Sequence, residues 1–147
     1  MKQILVATDG SENGRYALDE AVELAAAAGA KLTIAYVRHA PLPMLGEPVY
    51  QRSLSAELGH ANETVAIATG VAHTAGVEAE GEVLEGDPAK RIVELARLRD
   101  VDLIVVGSRG LGPVAGALLG SVSRDVLHHA DRPVLVAARR AARRRAA

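Results

Sequence analysis

Short apolar runs alternate with helical patterns along the whole chain. Between the runs, apolar residues recur at spacings of three and four, which is typical of a helix that packs along one face. The runs themselves have only the length of strands. The predicted strands are Ile4 to Thr8, Leu32 to Val37, Val77 to Leu84, Val101 to Val106 and Pro133 to Ala137. This alternation predicts an α/β domain in which helices cover both faces of a parallel sheet.

Polar residues, Gly and Pro mark where two of the helices begin or end. Ser11 caps the first helix and Gly29 stops it. Asp87 and Pro88 open the third, since Asp is a good N-cap and Pro suits the first helical position.

The second helix is predicted from about Arg52 to Thr74. Gly59 and Gly70 lie inside it, and each costs about 1 kcal/mol relative to Ala. The segment before it, from Pro41 to Pro48, is too rich in Pro for regular structure and is a candidate lid over a ligand.

Acidic residues occupy every second position of the third predicted strand. Glu78, Glu80 and Glu82 share one face, because alternate residues of a strand point the same way. The pattern predicts an edge strand with one solvated side.

The composition bounds the class of protein. A chain of 147 residues with 49% hydrophobic content makes one domain, and without Phe or Trp its core is packed by Val, Leu, Ile and Ala. The absence of Cys excludes disulfides, thiolate catalysis and Cys-based metal sites. No apolar run approaches the roughly 20 residues that span a bilayer, and the first one is too short for a signal peptide. We therefore predict a soluble, cytoplasmic protein without membrane association.

The net charge of −1 conceals an asymmetry between body and tail. Five arginines lie in residues 139–147, and without them twelve basic residues face eighteen acidic ones, which leaves the body at −6. An acidic body argues against nucleic-acid binding, which depends on clustered Lys and Arg. We expect residues 1–138 to form the domain and 139–147 an Arg- and Ala-rich tail. The tail is either frayed in solvent, which we favour, or a patch for an acidic partner, nucleic acid or a membrane surface.

A glycine-rich segment joins the fourth strand to the last helix. It reads Gly107-Ser108-Arg109-Gly110, nine further residues, then Gly120-Ser121-Val122-Ser123. Glycines let the backbone approach an anion closely, and the N–H groups of the helix that follows point at it. The hydroxyls of Ser121 and Ser123 would add contacts to phosphate or metal, and Arg109 would either clamp a phosphate or lie solvated over the loop. The alternative is a flexible loop in which Ser121 only caps its helix.

The topology gathers further candidates beside this segment. In an open parallel sheet the ligand lies beyond the carboxyl ends of the strands, where strand order reverses. Asp9, Val37 and Gly107 end the first, second and fourth strands. Asp9 either contacts a base, ribose or metal or is simply a turn residue before the helix.

The histidines and the nucleophiles suggest no catalytic site. His128 and His129 are adjacent on a helix and point in different directions, which argues against a joint metal site. His39 lies near the end of the second strand, within reach of a ligand, whereas His60 is expected on a helix surface. No Ser-His-Asp or Cys-His pairing is visible, so no catalytic residue is predicted.

The glycine segment resembles the ATP-binding signature of the universal stress protein family. Gly107, Gly110, Gly120 and Ser121 fall on its four defining positions. The opening Ile-Leu-Val-Ala-Thr-Asp-Gly-Ser and the strand sequence Val-Asp-Leu-Ile-Val-Val are similar to that family as well. The resemblance covers nearly the whole chain and stops at the Arg-rich tail.

The resemblance implies a Rossmann-like fold with an open five-stranded parallel sheet of order 3-2-1-4-5. It also implies roles for individual residues. Asp9 and the backbone around Ala7 would contact adenosine, and the backbone of Val37 would contact adenine. Ribose and phosphates would be held by Gly107, Arg109, Gly110, Gly120, Ser121, Val122 and Ser123.

The function implied is that of an ATP-binding regulatory protein of the stress response. The resemblance implies ATP, or ADP or AMP, as the ligand, with Mg, and a homodimer that pairs through the last strand, Pro133 to Ala137. Hydrolysis of ATP, if any, would be slow. One alternative is an enzyme on the same fold, a slow ATPase or an adenylate-transferring enzyme. Another is a partner-binding module without nucleotide.

Overall fold

A computed structural model of the protein describes residues 1–39, 46–108 and 119–138. The candidate lid is described only from Gly46 onward, and the tail from Arg139 lies outside the described residues. The elements of the described ranges are β1 (Gln3–Ala7), α1 (Glu12–Ala28), β2 (Lys31–Arg38), α2 (Val49–Thr74), β3 (Ala79–Glu85), α3 (Pro88–Leu98), β4 (Leu103–Gly107), α4 (Ser121–His129) and β5 (Val134–Ala137).

The five strands form one parallel sheet in the order β3-β2-β1-β4-β5. Ile4 of the central strand lies opposite Leu32 on one side and Leu103 on the other. The fold class and the strand order are therefore as predicted. Strand order reverses between β1 and β4, and a parallel sheet of this kind leaves a crevice beyond its carboxyl edge at that point.

The core consists of two layers, one on each face of the sheet. Ile4 and Val6 of β1 point into the layer under α1, and Leu5 points into the layer under α3 and α4. α1 contributes mainly alanines to its layer, which lets the helix lie close to the sheet. The expected core of aliphatic residues and Ala, without Phe or Trp, is what the structure contains.

The predicted helix signals are confirmed for α1 and α3. The Gly14 amide donates to the Ser11 hydroxyl at 3.2 Å, and Gly29 ends α1 at a φ of 65°. The Asp87 carboxylate accepts from the Lys90 amide at 3.0 Å. The second helix begins at Val49, three residues before the predicted Arg52.

The acidic third strand lies at the edge of the sheet, as predicted, but its acidic side is not simply solvated. Arg99, which follows α3, forms ion pairs with both Glu80 and Glu82. Only 26% of the Glu82 side chain is exposed. The Arg99 guanidinium therefore covers part of the β3 face that the alternating glutamates predict to be open to solvent.

No helix in the described ranges is both long enough and apolar enough to cross a membrane.

Candidate functional site

A cavity of about 820 Å³ opens at the carboxyl edge of the sheet, where strand order reverses. This volume is within the range typical of small-molecule sites, about 300 to 1,000 Å³. The lining residues are Ala7, Thr8, Asp9, Ser11, Asn13 and Gly14 near β1; Ala35, Tyr36, Val37, Arg38 and His39 near β2; Ala56, Glu57 and His60 of α2; Pro88 and Ile92 of α3; Val106, Gly107 and Ser108 near β4; and Gly120, Ser121, Val122 and Ser123 at α4.

The structure brings most of the predicted site residues together. The predicted residues that line the cavity are Ala7, Asp9, Val37, Gly107, Gly120, Ser121, Val122 and Ser123. Arg109 and Gly110 lie outside the described residues. Segments that are more than a hundred residues apart in sequence thus meet around one cavity.

Asp9 is both a turn residue and a cavity residue. Its Oδ1 accepts a hydrogen bond from the Ser11 amide at 2.9 Å, which fixes the turn into α1. The side chain nevertheless lies on the cavity and is exposed. Carboxylate oxygens have several lone pairs, so the turn leaves Asp9 able to accept further hydrogen bonds.

Two glycines set the shape of the cavity floor. A Cβ on Gly14 would lie 2.7 Å from the Thr8 hydroxyl and 2.9 Å from Oδ1 of Asp9. A Cβ on Gly107 would lie 2.6 Å from the backbone oxygen of Asn13. A side chain at Gly107 would push α1 away from the end of β4, and one at Gly14 would displace the side chains of Thr8 and Asp9, so the close approach of these elements favours glycine at both positions.

Three helices begin at the cavity, and they differ in how their first amides are satisfied. The Ser11 hydroxyl caps α1, and the Asp87 carboxylate caps α3. The N-cap of α4 is Gly120, which has no side chain to donate a capping oxygen. Among the described residues no side chain caps α4, and its first-turn amides are thus available to an anion.

Ser123 holds α4 against the end of β4. Its side chain is 3% exposed, and its hydroxyl donates to the Gly107 carbonyl at 2.6 Å. In this arrangement the hydroxyl proton of Ser123 is already committed, whereas Ser121 is exposed at the mouth of the cavity.

At the wall formed by β2 and α2, the sequence predicted Val37 and His39 near the ligand, and both line the cavity, but it did not reveal the other side chains there. The rings of Tyr36 and His60 lie edge to face, with centroids 6.0 Å apart. Nη2 of Arg38 is 2.5 Å from the Glu85 carboxylate, and Nη1 is 3.9 Å from that of Glu57. His60 is exposed on its helix, as expected, but it also lines the cavity. Helical spacing alone could not show which surface position faces the end of β2.

The environment of Tyr36 favours its neutral phenol. Partial burial raises the pKa of the hydroxyl, and the carboxylates of Asp9 and Glu57 raise it further. Tyr36 is therefore a hydrogen-bond donor at neutral pH.

Histidines and carboxylates form no evident metal centre. Within the described ranges, no group of three or more His, Cys, Asp or Glu side chains is placed to hold a metal ion. The rings of His128 and His129 are 5.1 Å apart, and Nδ1 of His129 is bonded to the backbone oxygen of Asp125.

The open parallel sheet with its cavity at the point of reversal defines a Rossmann-like α/β protein. A family model described as the universal stress protein family matches residues 1–138. The chain therefore belongs to the universal stress protein family.

Individual relatives are similar over nearly their full length. A universal stress protein of Thermus aquaticus is 38% identical over 136 residues, covering 92% of this chain and 97% of the relative. The structure of a universal stress protein in complex with cAMP has a TM-score of 0.71 at 34% identity and covers 92% and 95% of the two chains. The structure of an Archaeoglobus fulgidus universal stress protein in complex with dAMP has a TM-score of 0.72 at 26% identity and covers 93% and 98%.

Proposed function

We propose that the cavity binds an adenine nucleotide, with ATP, ADP or AMP as the candidates, and that the protein is a nucleotide-binding regulator of the stress response. The observation that carries this proposal is the first turn of α4, which lies at the cavity and has no side-chain cap from any described residue. An exposed helix N-terminus attracts phosphate through its amides and its positive dipole end. The cAMP and dAMP complexes of two relatives support the choice of adenine.

The charges around the cavity orient the nucleotide. The end near β2 holds one guanidinium, that of Arg38, between the carboxylates of Glu57 and Glu85. This excess of negative charge disfavours phosphate there. The base therefore lies near the backbone of Ala7 and Val37 with the ribose near Asp9, and the phosphates lie at Gly107 and the start of α4.

The phosphate end includes the rest of the glycine motif. In this proposal Gly120, Ser121, Val122 and Ser123 bind phosphate mainly through backbone amides, because the Ser123 hydroxyl is bonded to Gly107. We also propose Arg109 and Gly110 as phosphate contacts, on the family signature alone, since both lie outside the described residues. Mg²⁺ prefers oxygen ligands, and the Asp9 carboxylate and the Ser121 hydroxyl are the groups here that would hold it together with the phosphates.

Binding is tested by calorimetry of the purified protein with ATP, ADP and AMP, and by analysis of nucleotide that co-purifies. We expect Gly120→Val to abolish binding, since a branched side chain at the N-cap obstructs the approach of phosphate to the amides. Leu98→Gln, at an exposed position far along α3, is the matched control. Absence of any nucleotide and of any calorimetric signal would overturn the proposal.

The enzyme alternative is tested by single-turnover hydrolysis of ATP with Mg²⁺. We propose that the site holds ATP without rapid turnover, so hydrolysis should stay below about one per minute, far under the rates of typical enzymes. Faster turnover that is lost in Asp9→Ala or Ser121→Ala would favour an ATPase.

We further propose a homodimer formed by antiparallel pairing of β5, within the segment Pro133 to Ala137. β5 lies at the edge of the sheet, and its residues Val134, Leu135 and Val136 are only half-buried. The carbonyls of Pro133 and Ala137 bond to β4, so the backbone of Val134 and Val136 points away from the sheet. Such an edge is a template for a second copy.

Dimerisation is tested by analytical ultracentrifugation. Val136→Pro removes an outward N–H, and we expect it to give a monomer. Val136→Ala keeps that N–H and should remain dimeric. A wild-type monomer at micromolar concentration would exclude the proposed dimer.

A further inference from the structure

The first half of α2 is weakly anchored to the rest of the molecule. We call residues 49–60 the leading segment. The structure describes all twelve of them, and none is buried, whereas the buried residues of α2, namely Ala61, Ala68 and Ala72, all lie beyond them. The N-cap, Pro48, provides no side-chain hydrogen bond. A helical segment of this length is marginal in water without tertiary support.

Two side-chain contacts of the leading segment lie at the cavity. The Glu57 carboxylate lies 3.9 Å from Nη1 of Arg38, a buried nitrogen without a hydrogen-bond partner among the described residues. The His60 ring contacts the Tyr36 ring edge to face. A long ion pair with a half-exposed carboxylate contributes little. The leading segment thus forms part of the cavity wall through Ala56, Glu57 and His60, and its apolar residues Leu54 and Leu58 are only half-buried.

Gly59 weakens the leading segment further. A Cβ at this position would meet nothing within 4 Å, so no close contact requires glycine there. Glycine inside a helix disfavours the helical state relative to Ala. Gly70 has the same open surroundings in the anchored half of α2, which gives a matched pair of positions.

The ring pair at the wall suits a planar base. The chain has three Tyr and no Phe or Trp, and of these tyrosines Tyr36 lines the cavity. Tyr36 and His60 present ring surface beside the backbone of Val37, at the end of the cavity that disfavours phosphate. Rings of this kind bind bases by stacking or edge contacts.

We propose that His60, paired with Tyr36, contacts the nucleotide base and that base binding stabilises the leading segment of α2 as helix. This inference rests on the proposed nucleotide site and adds to it a base-binding residue from α2 and a segment whose order depends on the ligand. Ordering the leading segment uses part of the binding free energy and so lowers the affinity for nucleotide. Any change that orders the segment before the nucleotide binds therefore raises that affinity.

Hydrogen exchange with and without ATP tests the ordering. Added ATP should slow amide exchange in residues 49–60 more than in residues 61–74. Gly59→Ala should tighten ATP binding by up to about fivefold, the factor that corresponds to about 1 kcal/mol. Gly70→Ala should slow exchange in its own half of α2 without changing affinity.

Base discrimination tests the role of His60. His60→Ala should weaken ATP binding about fivefold to tenfold and reduce the preference for ATP over CTP, because a larger base gains more from the ring. His60→Phe should restore both the affinity for ATP and the preference for ATP over CTP. A residue that only supported the helix would change affinity for ATP and CTP equally.

The outcomes separate this inference from the proposed function. ATP binding with unchanged exchange in residues 49–60, and unchanged affinity in His60→Ala and Gly59→Ala, would overturn the inference and leave the nucleotide site standing. Failure to bind ATP, ADP and AMP would overturn both.

Discussion

The hydroxyl of Ser123 donates a 2.6 Å hydrogen bond to the carbonyl of Gly107 and so ties the first turn of α4 to the end of β4. Ser123→Ala leaves that part-buried carbonyl without this donor. We expect a loss of about 1 kcal/mol in the free energy of unfolding, together with weaker nucleotide binding, because the amides of α4 lose their alignment. Urea denaturation and calorimetry measure the two effects. Ser121→Ala, at an exposed position, should leave stability unchanged, and equal losses in the two variants would contradict the assignment.

Gly107 and Gly14 should respond differently to alanine. At Gly107 the added Cβ meets the backbone of Asn13, which cannot move alone, so we expect a loss of about 1 to 3 kcal/mol in stability. At Gly14 the two shortest contacts are with the side chains of Thr8 and Asp9, which can rotate, and the backbone nitrogen of Asp9 lies farther away, at 3.2 Å. Gly14→Ala should therefore lower nucleotide affinity by moving Asp9 and lower stability less. Thermal unfolding measures which variant loses more stability, and calorimetry measures the nucleotide affinity of both. A larger stability loss in Gly14→Ala than in Gly107→Ala would refute this prediction.

Gly81 of β3 and Val65 of α2 should be strongly coupled. A Cβ on Gly81 would clash with Cγ1 of Val65, so Gly81→Ala should destabilise the protein by about 1 to 3 kcal/mol. Combining it with Val65→Ala opens space for the new methyl group. We expect the double variant to be more stable than the sum of the single effects predicts, by at least about 0.5 kcal/mol in a double-mutant cycle of urea unfolding. If the effects of Gly81→Ala and Val65→Ala on the free energy of unfolding simply add, β3 and α2 move apart instead of clashing.

Asp102 should make folding stability depend on acid pH. Its carboxylate accepts hydrogen bonds from the backbone amides of Lys2 and Gln3 at 2.6 and 2.9 Å, and these bonds lower its pKa. A carboxyl with a lowered pKa stabilises the fold above its ordinary value of about 4 and loses this contribution as pH falls through the folded value. Asp102→Asn should therefore have a lower melting temperature than the wild type at pH 7. The difference between the two melting temperatures should narrow as pH falls below about 4. A difference that stays constant down to pH 2 would contradict this linkage.

The positions of most elements could be predicted from the sequence because local signals and apolar patterning agree. Ser11, Gly29, Asp87 and Pro88 mark helix boundaries that the structure confirms. The strand order came from a family resemblance, since apolar runs identify strands but do not say which are neighbours. Val49 begins α2 earlier than its apolar stripe indicates, because exposed residues carry no signal at a helix end.

Long-range contacts account for what could not be predicted. The glycine segment and Asp9 were recognisable because their residue types and spacing have a local meaning. Arg99 against Glu80 and Glu82, and His60 against Tyr36, depend on how α3 and α2 lie over the sheet. The spacing of residues along one helix does not say which residues of another element they contact. These pairs can therefore be seen only in the folded structure.

Because the chain contains no Trp, its ultraviolet emission comes from tyrosine alone. Tyr16 is bonded to Glu12 within α1, and Tyr50 lies in the first turn of α2, whereas Tyr36 forms part of the cavity wall. Replacing Tyr16 and Tyr50 with Phe leaves a single fluorophore at the cavity. The fluorescence of Tyr36 should then report whether a ligand occupies the cavity, and no dye needs to be attached.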